Sequence, residues 1–262
     1  MKRVVSLLLL LSLLFGCVNV HASSYTDLIS SVLNDMEKNN KSASGAPQQT
    51  ANGAYRAVDM LTIIAYHLDK TGAYSSVIGD TYETLSKNNK NLDSAMQQTV
   101  NGLYRCNELL AVIIMELDST GKYKDFAIQV LEDLETHNKS ASSAVQQEVN
   151  GAYRLVDMLT IIAYMKGVDS SMIDSVLSTW QANDKSASSA PQQLVNGLYR
   201  SVELMYLIGN KTDAWGTWSS YFSSVYDSWS KLDKQCESAP QQAANGMYRF
   251  VEMLAGWANA LD

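Results

Sequence analysis

Proline, cysteine and histidine each occur only three times in 262 residues. The cysteines, Cys17, Cys106 and Cys236, are too few for a disulfide framework, and the last two read as idle or buried thiols. His21, His67 and His137 are scattered, with no metal-ligand spacing and no Cys-His pair. A serine-nucleophile elbow and a phosphate-cradling glycine loop are likewise missing, so the sequence implies no cofactor and no metal. A basic excess is absent too: the net charge of -7 argues against nucleic acid and against an anionic membrane surface as partners. With 46% hydrophobic residues the chain can still bury a substantial core. No period-2 alternation marks a strand anywhere.

All three prolines, Pro47, Pro191 and Pro240, precede the same recurring stretch, which reads Gln48-Gln49-Thr50-Ala51-Asn52-Gly53-Ala54-Tyr55-Arg56 in its first copy. Its first glutamine returns at Gln97, Gln146, Gln192 and Gln241, at intervals of 49, 49, 46 and 49 residues. A fixed period of this length signals stacked supersecondary units. Each copy opens a helix, the first over about 46–68, and is preceded by a more variable helix, the first over about 25–38. Short links of the Lys-Ser-Ala-Ser kind join the two. Turns such as Asp69-Lys70-Thr71-Gly72 and Asp118-Ser119-Thr120-Gly121 close each pair, with glycine where helix ends turn left-handed. The short third interval places a tighter turn near Lys166-Gly167-Val168.

The expected fold is all-α: five tandem helical-hairpin repeats of about 49 residues forming an α-solenoid or a closed α/α toroid. The repeats cover about 25–70, 73–120, 122–167, 168–211 and 212–262, one domain spanning 23–262. The first and last units carry the motif as faithfully as the middle ones, which argues for closure, while the small size of a five-pair ring argues against it. The motif helices have well-specified starts. Ser94, Ser143, Ser189 and Ser238 stand three residues before a glutamine, the spacing of a capping box, and Gly45 takes that place in the first copy. The prolines fall in the first turn, where a missing N–H breaks no helical bond.

On a helical wheel the motif's polar residues occupy one arc of roughly 160° and an apolar stripe, Ala54, Val58 and Leu61 in the first copy, occupies the other. The apolar positions vary in type between copies while the polar ones do not, apart from Asp for Glu. A solvated face would drift, since surface substitutions cost little. An identical packing contact or an identical ligand contact must therefore hold these residues. The packing account has Gly53 admitting a neighbouring helix, Tyr55 covering it and Arg56 pairing with an acid. The ligand account has five copies facing a common groove or lumen. The candidate binding residues are then Gln49, Asn52, Tyr55, Arg56 and Asp59, followed by Gln98, Asn101, Tyr104, Arg105 and Glu108. The third copy supplies Gln147, Asn150, Tyr153, Arg154 and Asp157, and the fourth Gln193, Asn196, Tyr199, Arg200 and Glu203. The fifth supplies Gln242, Asn245, Tyr248, Arg249 and Glu252. Amides, arginine, carboxylate and tyrosine bind polyhydroxylated or anionic groups, so a glycan or another envelope component is the expected ligand and a protein the alternative partner.

Were the chain a polysaccharide hydrolase or lyase of toroid type, Glu108, Glu203 or Glu252 would be its acid or base, but equivalent sites do not give two carboxylates different roles. The leading expectation is a non-catalytic binding or scaffold protein. A purely structural repeat acting through protein contacts is the remaining reading. In the fifth unit Trp218, Phe222, Val225 and Trp229 share one face, a core stripe or an exposed stacking platform. Met1-Lys2-Arg3 followed by the apolar run 4–15 reads as a secretory signal. Cleavage after Ala22 gives a secreted or periplasmic protein. Lipidation of Cys17 gives one anchored to the bacterial envelope, the only membrane contact the sequence suggests.

Overall fold

The computed structural model describes residues 22–262, so residues 1–21 of the expected signal segment, Cys17 included, lie outside the described residues. Among the described residues there are ten α-helices and no strand. The five variable helices are α1 (Ala22–Ser42), α3 (Ser75–Asn89), α5 (Lys124–Ser140), α7 (Ser170–Ser186) and α9 (Ser219–Asp233). The five motif helices are α2 (Ala46–Leu68), α4 (Ala95–Leu117), α6 (Ala144–Met165), α8 (Ala190–Thr212) and α10 (Ala239–Leu261). No described helix is long and apolar enough to cross a membrane.

Each motif helix packs on the next, and α10 packs on α2, so the five form a closed cycle of contacts. The motif glycine is what lets the backbones approach. A Cβ on Gly102 would lie 2.7 Å from Ala54 Cβ, and one on Gly53 would lie 2.5 Å from Met247 Cγ, which joins the last motif helix to the first. In every copy the ring of the preceding copy's tyrosine lies against the glycine: Tyr55 at Gly102, Tyr104 at Gly151, Tyr153 at Gly197, Tyr199 at Gly246 and Tyr248 at Gly53.

The core sits among the motif helices. Ala54, Val58, Leu61 and Ile64 and their counterparts in the other copies are fully or almost fully buried. The variable helices lie against this cycle, each touching the motif helix that follows it and the one before, with α1 bridging α2 and α10. Burying one face of every helix removes enough apolar surface to offset the ordering of the chain. In α9 the expected stripe is largely core. Phe222, Val225 and Trp229 are buried, Trp218 is half-buried, and the Phe222 ring fills the space left by Gly209 and Gly256.

Two details of the helix starts differ from the capping-box expectation. Ser94 and Ser143 Oγ accept from Gln97 and Gln146 N–H, but Ser189 and Ser238 cap no N–H with their side chains. The motif's first glutamine reaches one residue further back than a capping box requires, with Gln146, Gln192 and Gln241 Oε1 accepting from the N–H of Ser142, Ser188 and Glu237. Gln48 instead donates to Asn52 and to Gln98 on the neighbouring motif helix.

Turns after α2, α4 and α8 are six residues long and share one design. The Asp at the helix end (Asp69, Asp118, Asp213) accepts from the N–H five residues on, and a glycine at positive φ reverses the chain. The turn after α6 has only four residues, 166–169, and lacks that aspartate bracket. Asp169 caps the next helix instead, accepting from Ser171 N–H at 2.8 Å. The helix it leads into, α7, buries a single residue, Ile173, and wide grooves open on both of its sides.

Candidate functional site

The invariant arc faces the variable helices and the links, not the centre of the cycle. Asn101, Asn196 and Asn245 donate to the carbonyls of Leu85, Trp180 and Trp229 in the variable helix of their own hairpin. Asn52 donates to Asn39 O, and Asn150 is only half-buried. The tyrosine crosses to the following variable helix: Tyr55 Oη donates to Asn89 Oδ1, Tyr153 to Asp184 and Tyr199 to Asp233. Gln193 and Gln242 donate to the same two aspartates, so one carboxylate ties two neighbouring motif helices to the end of a variable helix. Among the described residues, Tyr104 and Tyr248 Oη have no hydrogen-bond partner, nor do Asn138 and Asn40 Oδ1 at the corresponding helix ends. Burial raises the Tyr55 hydroxyl to about 12 and raises Tyr153 and Tyr199 as well, the latter two also through their aspartate partners.

Each arginine pairs with the acid three residues on. Arg56–Asp59, Arg105–Glu108 and Arg154–Asp157 meet at 2.9 Å, Arg200–Glu203 at 3.0 Å and Arg249–Glu252 at 2.8 Å. The arginine side chains are between 6% and 21% exposed, too covered to serve as free ligand hooks. Burial raises the pKa of all five acids against the opposing pull of the arginines. Such pairs cost much when one partner is removed and add little over an apolar contact, which suits a framing role. Glu108, Glu203 and Glu252 are each held in this way.

The five copies are not gathered around one lumen. Where all five motif helices do meet, at their N-terminal ends, the enclosed space is about 80 Å³. Pro47, Pro191 and Pro240 surround it, with Thr50 and one acid, Glu148. Glu148 is 5% exposed, and burial pushes its carboxyl up to about 8, with Thr99 as a hydrogen-bond partner. It falls outside the motif arc. The available signal was a charged residue four before Ala152 and seven before Leu155, on an otherwise apolar face.

The open spaces lie instead between neighbouring variable helices. A groove of about 420 Å³ between α5 and α7 has the Arg154–Asp157 pair as its floor, with Phe126 and Trp180 on its sides. Two cavities lie between α7 and α9. One of about 430 Å³ holds Glu203, Tyr206 and Tyr226, and one of about 420 Å³ holds Asn196, Arg200 and Trp229. Arg154 and Arg200 thus sit in separate grooves. Three buried atoms of the second cavity's lining residues, Asn196 Oδ1, Arg200 Nη1 and Trp229 Nε1, have no hydrogen-bond partner among the described residues. No family model, no curated protein and no solved structure matches the chain.

Proposed function

We propose that the chain is an exported, non-catalytic binding or scaffold protein, built as a closed α/α toroid of five hairpin repeats, whose ligand surface is the set of grooves between neighbouring variable helices. The observation that carries this reading is the position of the repeated Arg–acid pair. It is spent on holding the frame, yet in the α5–α7 and α7–α9 grooves its edge is the floor of an open cavity of about 420–430 Å³. Pockets of that size, walled by aromatic and hydroxyl side chains with a few charges, are suited to polyhydroxylated ligands. A glycan or another envelope component is the ligand class this supports.

The test is binding of the mature chain to an array of glycans and envelope components. Wild-type binding should be weakened by Phe126→Ala or by Thr179→Arg, which alter the two grooves, and left unchanged by Trp215→Ala, which is remote from both. Equal loss with Trp215→Ala would move recognition to that turn, where Trp215 is 93% exposed and available to a protein partner. Absence of binding to every glycan would end the ligand assignment.

A further inference from the structure

The groove between α7 and α9 is chemically unlike a general polar cleft. Its α7 wall carries a row of uncharged hydroxyl side chains, Ser171, Ser175 and Thr179, spaced four residues apart and exposed, beside the apolar Met172 and Val176, and Asn183 and Ser186 continue the uncharged polar lining. Four-residue spacing keeps such a row on one face of the helix.

The opposite wall is a chain of aromatic rings. Tyr206 and Tyr226 lie 4.9 Å apart, Tyr226 and Trp229 5.1 Å, and Trp229 and Tyr199 4.9 Å. Tyr206 and Tyr226 are half-exposed, while Trp229 and Tyr199 lie beneath them. Among the described residues the charges lining the two cavities are Arg200, Glu203 and Asp233, with no lysine. Arg200 lines one cavity and Glu203 the other, and their 3.0 Å ion pair spans the boundary between the two. From Ser171 to Ser186 the wall runs about 22 Å at the α-helical rise, room for roughly four sugar rings in line.

We infer that the α7–α9 groove is the binding site for an uncharged, linear oligosaccharide, held by the hydroxyl wall of α7 and stacked along the Tyr206–Tyr226 wall. This rests on the binding reading above and narrows it to one groove and one class of glycan. Ser171 and Thr179 give their protons to Asp169 Oδ1 and Ser175 O and so present acceptor oxygens, Ser175 can donate as well, and the apolar ring faces stand on the other side, matching the two kinds of surface a sugar ring presents. A net acidic lining disfavours uronic or sulfated chains. The other groove beside α7 lacks this pairing: its α5 wall carries Phe126, Gln129, Val130 and Asp133 and no hydroxyl row. The short turn before α7 explains why the groove is open here, since this helix buries only Ile173.

The experiment is calorimetric titration of the mature chain with cellohexaose, maltohexaose and chitohexaose, and with hexagalacturonate as the acidic counterpart. Neutral hexasaccharide binding is expected from at least one of the first three. The pair of changes Ser175→Ala and Thr179→Val, which removes two hydroxyls and adds no bulk, should weaken it about tenfold. Ser175→Arg, which fills the groove, should abolish it. Trp215→Ala, remote from the groove, should leave it within about twofold, and all variants should keep the wild-type melting temperature, because these side chains are exposed. If a neutral sugar binds and the α7 variants bind it as well as wild type, the groove assignment is wrong while the glycan-binding reading stands. Binding of hexagalacturonate in preference to the neutral chains overturns the ligand class. Binding of no saccharide at all overturns both.

Discussion

Replacement of Glu148 by glutamine should make the protein more stable at neutral pH, and by an amount that depends on pH in one direction only. The carboxyl ordinarily titrates at 4.5, and burial at the meeting point of the five motif helices raises it to about 8. Between those values the unfolded chain has lost the proton and the folded one retains it, so folding must take a proton up. The proton-linked cost is absent below the unfolded value, grows by about 1.4 kcal/mol per pH unit, and is complete above the folded value. At pH 7 it amounts to about 3 kcal/mol. Glutamine keeps the shape and can donate to Thr99 Oγ1, whose own proton goes to Ala95 O, but has no proton to exchange. The Glu148→Gln chain should therefore unfold at roughly 6–12 °C higher temperature than wild type at pH 7, with the gap closing towards pH 4.5. Thermal unfolding at half-unit pH steps measures this. The paired acids of the motif also have raised values, so the difference between the two chains, not the wild-type curve alone, is diagnostic. A difference that is flat across this range, or a less stable variant at pH 7, would refute the reasoning.

Removal of Arg56 should cost about 3–5 kcal/mol in urea unfolding, because it strands the buried Asp59 carboxylate, and adding Asp59→Asn should recover part of the loss. Gly53→Val tests the closure of the cycle: its side chain would collide with Met247 and Tyr248, so stability should fall by about 1–3 kcal/mol. An unchanged midpoint would mean that α10 does not dock on α2 in solution. Phe222→Ala should cost about 3–5 kcal/mol, since the ring is wholly buried against two glycines. Trp215→Ala, at a fully solvated ring, should stay within about 0.5 kcal/mol of wild type. Thiol titration of the native chain should find Cys236 reactive and Cys106 silent, because Cys106 is wholly buried and its thiol is pushed up by desolvation.

Much of the helical frame could be read from the chain because local rules agree with one another. The limits of α2 follow from Gly45, Pro47 and Asp69, and its apolar stripe follows from period alone. What the arc of Gln, Asn, Tyr, Arg and acid does was less legible. Periodicity shows that Tyr153 and Arg154 share a face, but that face could have met a lumen, a ligand or another helix. The partners decide it. Asp184 receives both Tyr153 and Gln193, and a signal for this existed, since Asn40, Asn89, Asn138, Asp184 and Asp233 recur at the motif's own intervals at the ends of the variable helices. The hydroxyl row of α7 was visible as Ser171, Ser175 and Thr179, yet nothing in the chain said what stood opposite.

By itself, then, the sequence determined the helices and the division of each motif helix into an apolar and an invariant polar face. Those properties depend on neighbours within a few turns, where spacing fixes geometry. The tertiary structure alone decided that α10 returns to α2, that the polar face looks outward onto the variable helices, and that the open space lies beside α7 and not at the centre. These outcomes depend on contacts such as Gly53 with Met247, between residues nearly 200 positions apart, and on a turn after α6 that is two residues shorter than the others. Small rotations between successive hairpins add up around the whole cycle, and no local pattern carries their sum.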